Sequence, residues 1–277
     1  MNKDSAVNAI TRFKVQKSDR SDVQTDQIVS EEPLEIRIDS GSGDSRLAIT
    51  MRTPGNDLEL AAGFLWSEGL LRNREDLVSI TSCKDHSLSE RERENIVVCH
   101  VTKDAPAITR ELERRFTISS ACGICGTDQI DDLKNRGCTH LEKPKLAIEE
   151  LAKLPDQMRT RQNIFDKTGG LHAAALFDEN GNLKVIREDV GRHNAVDKVI
   201  GWALIQNLIP LTDWSLTISG RGGFEIVQKS VAAGLSAMIS VSAPTSLAVE
   251  TAREFNLTLL GFARDGKATI YSPDPGN

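Results

Sequence analysis

Beyond residue 170 the chain alternates short apolar runs with helical segments, and no other feature limits its fold as much, because such alternation builds an α/β layer structure. "AAALFDENGNLKVIRED" carries two strand-like runs around Asn180-Gly181, a strong hairpin signal. "NAVDKVIGWALIQN" reads as a helix, "SLTISG" as a strand, "FEIVQKSVAAGL" as a helix, "AMISVSA" as a strand and "SLAVETAREFN" as a helix. "TLLGFARDGKATIYS" closes the series as a strand pair turning at Asp265-Gly266.

The first half is of a different kind. "EPLEIRIDS" and "RLAITMRT" are alternating runs joined by "GSGD", a strand pair. "TPGNDLELAAGFLWSEGLL" predicts a helix after the turn at Pro54, Gly55 and Asn56, with Leu58, Ala61, Ala62 and Leu65 on one face and Gly69 near its end. "ENIVVCHVT" reads as a further strand. The expected organisation is a polar, mobile N-terminal arm over 1–28, an α+β portion over 29–118, a cysteine loop with its connecting helix over 119–145, and a C-terminal α/β domain over 146–277.

Composition removes several function classes. A formal net charge of -6 with 4% aromatic residues argues against a general nucleic-acid binder, so any anion site must be local. No apolar run approaches the ~20 residues that span a bilayer, and the start "MNKDSAVNAITRFKVQKSDRSD" has no signal-peptide core, which predicts a cytoplasmic protein without membrane partners. Five cysteines at scattered positions argue against a disulfide framework.

Two of those cysteines, Cys122 and Cys125, sit in "SSACGICGTDQ", where Gly123 and Gly126 allow unusual backbone angles and close approach of a partner. "TDQIDDLKNRG" predicts a helix capped at Thr127 or Asp128 and ending near Gly137, so Cys125 falls close to a helix N-terminus that favours thiolate. Asp128, Asp131 and Asp132 partly oppose that effect. Three readings stay open at this point: a zinc site made of Cys122, Cys125, Cys138 and His140, a thiol-disulfide pair, and small buried residues in a turn. The zinc-deaminase signature is missing, because Ala121, in place of proline, precedes Cys122.

Two other turns carry anion-binding chemistry. In "REDVGRHNAVDK", Gly191, Arg192 and His193 precede a helix read as opening at Asn194, bringing backbone N–H groups, a guanidinium and an imidazole together. In "TISGRGGFEIVQK", Ser219, Gly220, Arg221, Gly222 and Gly223 repeat the arrangement between a strand and a helix. Together they predict a phosphate-bearing ligand.

"SSACGICG", "GGLHAAALF", "EDVGRHNAVDKVIG", "SGRGGFEIVQK", "SLAVETA" and "TLLGFARDGKATIY", with "MRTPGNDLELAAGFLWSEGLL" before them, resemble in order and spacing the FdhD family of sulfur carriers that assist formate dehydrogenase maturation. The likeness covers roughly residues 28 to 273. It implies a sulfurtransferase that takes persulfide sulfur from a cysteine desulfurase. The acceptor it implies is the bis(molybdopterin guanine dinucleotide) molybdenum cofactor, loaded before insertion into apo formate dehydrogenase. It further implies a cytidine-deaminase-like three-layer sandwich for the C-terminal part, a homodimer, and no tightly bound metal of the protein's own. Carried over by position, Cys122 matches the persulfide-carrying cysteine and Cys125 its partner. Phe262, Ala263, Arg264, Asp265, Gly266 and Lys267 match the segment that contacts the cofactor, where Arg264 and Lys267 supply cations and Gly266 a close backbone approach. Gly223 departs from the Ser or Thr that family members often carry near this point, so a hydroxyl contact there is not carried over. A carrier needs a free thiolate, which makes Cys138 and His140 incidental.

Overall fold

In the computed structural model, which describes residues 9–105 and 126–273, regular structure begins earlier than the sequence pattern predicts. β1 (Ile10–Gln16) and β2 (Val23–Val29) pair antiparallel within the stretch read as an arm without elements. Most of their side chains face solvent on both sides, so the ribbon has no buried face to write a period-two apolar pattern into the sequence.

β3 (Glu32–Asp39) and β4 (Asp44–Arg52) form the expected hairpin. They belong to a four-stranded sheet of order β4-β3-β6-β5, completed by β5 (Leu77–Ser82) and β6 (Ile96–Val101), with β3 and β6 parallel. Leu34, Ile36 and Ile38 turn one face of this sheet towards α1 (Asp57–Ser67), which buries Leu60, Ala61, Ala62 and Leu65 against it. Leu58, read as part of that face, is 37% exposed instead.

The second half follows the predicted order. β7 (His172–Phe177) and β8 (Leu183–Asp189) form the hairpin over Asn180-Gly181. β9 (Ser215–Ile218), β10 (Ala237–Ser240), β11 (Thr258–Arg264) and β12 (Lys267–Ser272) complete a mixed sheet of order β12-β11-β10-β9-β7-β8, in which β9, β10 and β11 are parallel. One face is covered by α2 (Gly126–Asn135), through Leu133, and by α3 (Arg192–Ile205), α4 (Phe224–Ala232) and α5 (Ser246–Glu254). The other face is covered by Leu151, Leu154 and Met158 from short helices before β7.

α3 lies between this sheet and α1, and so it is buried nearly all round, from Asn194 to Gly201 without a break. Its contact with α1 is made by glycines. A Cβ at Gly63 would fall 1.9 Å from the Asp197 carbonyl oxygen, and one at Gly201 1.8 Å from that of Glu59. Only two hydrogen side chains let the backbones approach this closely.

Candidate functional site

β8, β9, β10 and β11 all end at the same edge of the large sheet, and the antiparallel β7 begins there. In open α/β sheets ligands bind beyond the carboxyl ends of the strands. Both sequence-predicted anion turns, and the turn that the family resemblance implies, lie on this edge. Arg192 and His193 follow β8, Ser219 and Arg221 follow β9, and Phe262–Lys267 forms the tip of the β11–β12 hairpin.

Contacts join these turns into a continuous rim. The position a Cβ would take at Gly220 lies 3.4 Å from His172 Nδ1 and 3.8 Å from Arg192 Cδ. Ser240 Oγ donates to the Gly220 carbonyl at 2.8 Å, and the Gly222 N–H donates to the Ala243 carbonyl at 3.1 Å. The Phe262 N–H then donates to the Ser242 carbonyl at 3.3 Å. At the far end, the Gly266 N–H donates to Asp156 Oδ2 at 3.2 Å, so a short helix from the opposite face steadies the 262–267 turn. Phe262, 53% exposed and at φ 52°, presents its ring outward, whereas Ala263 is buried in the core beneath it.

α3 starts at Arg192, two residues before the predicted Asn194, which places Arg192 and His193 in its first turn. The fully buried Asp189 sets this geometry. Its Oδ1 accepts from the Gly191 N–H at 2.8 Å and from Asn194 Nδ2 at 3.1 Å, while Lys198 Nζ lies 2.6 Å from Oδ2. Thr53 N–H also donates to Oδ2, at 3.2 Å, tying the turn to the N-terminal sheet. A Cβ at Gly191 would meet Asn194 Nδ2 at 2.9 Å, so glycine permits the amide to fold back over the turn.

The charges on the rim differ in how far they are committed. His193 Nε2 lies 2.7 Å from Glu225 Oε2. That hydrogen bond, with Lys229 and Arg192 at longer range, holds the Glu225 carboxyl below its usual range. Arg192 has no ion pair among the described residues, and its Nε is enclosed without an acceptor. Arg221, Arg264 and Lys267 are exposed and likewise unpaired among the described residues. Neither α3 nor α4 has a side-chain N-cap, so two helix N-termini open onto the rim. Ser219 Oγ accepts from the Ala173 N–H at 2.8 Å, a structural task that fixes its loop to β7. At Gly223 a Cβ would meet nothing within 4 Å, so the glycine is not imposed by packing.

Cys122 and Cys125 lie outside the described residues. Thr127 and Asp128, predicted as the cap of α2, lie within the helix, and Gly137 follows its end at φ 83°. Cys138 is packed against the core beside α5, where burial pushes its thiol up. His140 is exposed, and no group of metal-binding side chains occurs among the described residues. Sequence reasoning overlooked His172, whose place at the start of β7 is visible only once the strand order is known. It also overlooked a pocket of about 250 Å³ behind the Asp189 turn, walled by Asn56, Arg161, Ile186 and Lys198.

The model of the FdhD/NarQ family matches residues 29–275. The chain belongs to that family. It is 46% identical over 253 residues to the sulfur carrier protein FdhD of Streptomyces coelicolor, covering 89% of this chain and 87% of the relative. To that of Mycobacterium tuberculosis it is 37% identical over 260 residues, covering 92% and 93%. The fold matches a crystal structure from Desulfotalea psychrophila, provisionally described as a formate dehydrogenase accessory protein, with a TM-score of 0.72 at 20% identity, covering 96% of this chain and 97% of the other. Membership in the FdhD/NarQ family accounts for the length of the match, which runs from the end of β2 to just beyond β12.

Proposed function

We propose that this FdhD/NarQ protein is a cytoplasmic sulfurtransferase that accepts persulfide sulfur from a cysteine desulfurase and delivers it to a guanine-dinucleotide molybdenum cofactor bound along the carboxyl edge of the large sheet. The observation that carries the reading is the rim itself, which lines up Arg192, Arg221, Arg264 and Lys267, unpaired among the described residues, with two helix N-termini that lack side-chain caps. From β8 to β11 is four inter-strand steps, or about 19 Å at the usual strand spacing. That length suits a dinucleotide better than a single phosphate group, and the cations offset pyrophosphate charge.

Cys122 is the carrier. Its thiolate attacks the terminal sulfur of the donor persulfide, the donor S–S bond breaks, and the donor cysteine leaves as thiolate, so sulfur moves without net oxidation. Cys125 then shares the sulfur or discharges it as hydrogen sulfide by closing a Cys122–Cys125 disulfide. The loaded cofactor passes to apo formate dehydrogenase, and the carrier works as a homodimer. A mixed sheet with helices on both faces supports a cytidine-deaminase-like sandwich for the C-terminal part.

Mass spectrometry after incubation with a desulfurase and cysteine tests the carrier role. Addition of ~32 Da to Cys122 is expected, whereas a Cys122→Ala protein that still matures formate dehydrogenase would remove the basis of the proposal.

A further inference from the structure

We propose that His172 contacts the anionic ligand beside Arg192 and takes up a proton when that ligand binds. The proposal rests on the reading that the rim holds a phosphate-bearing ligand. His172 stands at the carboxyl edge at the start of β7, half-buried, with its ring against Gly220 on the side that Arg192 Cδ also approaches. Neither ring nitrogen has a hydrogen-bond partner among the described residues. His193, by contrast, is committed to Glu225. Of the two imidazoles on this rim, His172 is therefore the one with both nitrogens available.

Its surroundings set its charge. Burial, then the charges of Arg192 and His193, hold His172 below the usual histidine range, and Asp189 opposes them. The loop after β9 adds Arg221, and α4 adds Glu225. Without ligand the imidazole is neutral at physiological pH. An anion between Arg192 and His172 offsets the guanidinium charge and favours imidazolium, so the complex binds more protons than the free protein. Affinity is then flat at high pH, rises as pH falls through the raised value of the complex, and levels off below the value of the free protein. The gain is roughly tenfold for each unit by which binding raises the group.

Titration calorimetry of the full chain tests this, with two guanosines joined by a pyrophosphate as the probe, because its phosphates do not titrate between about pH 5 and 8. Comparing buffers of different ionisation enthalpy counts the protons. The wild type is expected to take up a fraction of a proton and to bind several-fold tighter at the acid end. H172Q should still bind with no uptake and no pH dependence. Binding with the same uptake in H172Q overturns the role of His172 and leaves the rim standing; no binding by the wild type overturns both. If H172Q folds poorly, the Cε1–H titration of wild-type His172, with and without probe, decides: an unmoved titration overturns the proposal.

Discussion

Asp189 and Lys198 illustrate how single residues hold the rim in shape. Lys198 Nζ sits between Asp189 Oδ2 at 2.6 Å and the Thr53 carbonyl at 2.9 Å, with both side chains almost wholly enclosed. Replacing both partners by apolar groups can be nearly neutral, but removing one leaves a buried charge. Lys198→Met should therefore lower stability by about 3–5 kcal/mol, read as a shifted urea midpoint, and Asp189→Asn in the same chain should restore part of it. Thiol chemistry is decided at this scale too. Burial pushes Cys99 up to about 12, so at pH 8 its thiol stays protonated and enclosed. Alkylation of the native protein should spare Cys99 and label it only after denaturation, as peptide mass spectrometry would register; labelling at the rate of an exposed thiol would contradict the burial.

At the scale of elements, the crossing of α1 and α3 joins the two sheets. Gly201→Ala would drive a Cβ to 1.8 Å from the Glu59 carbonyl oxygen, backbone that has no rotamer with which to move away. The helices must separate, at a cost of at least the 1–3 kcal/mol typical of overpacking, and a thermal melt should show a clear loss. Gly223→Ser is the opposite case. A Cβ there meets open space, and the serine can cap α4, so stability should change by no more than about 0.5 kcal/mol and in the favourable direction. Sequence patterns reported these elements unevenly. The β7–β12 series was legible because each strand or helix carries its own periodicity and turn chemistry, down to Asn180-Gly181 and Asp265-Gly266. Leu58 and Gly201 were not, because a helix packed on two sides has no single apolar face to point at. The β1–β2 ribbon was silent for the reverse reason, having almost no buried face.

The rim exists only at the scale of the whole molecule, where the strands from β7 to β12 carry residues from 172 to 267 to one edge. Arg192 and Arg221 were readable as local anion turns and the 262–267 turn only through the family resemblance, but their common edge follows from the antiparallel insertion of β7 between β8 and β9, which no local pattern encodes. That distance makes a test. Arg192 and Arg264 stand near opposite ends of the rim, far enough apart for their contributions to add. A charge-assisted contact is worth about 1.5–3 kcal/mol, so Arg192→Gln and Arg264→Gln should each weaken the pyrophosphate-linked diguanosine probe at least tenfold, with the double variant close to the product. A guanosine mononucleotide occupies one end only and should respond to one substitution and ignore the other. Equal sensitivity of the mononucleotide to both would mean that the rim is not read along its length, and the dinucleotide assignment would fall with it.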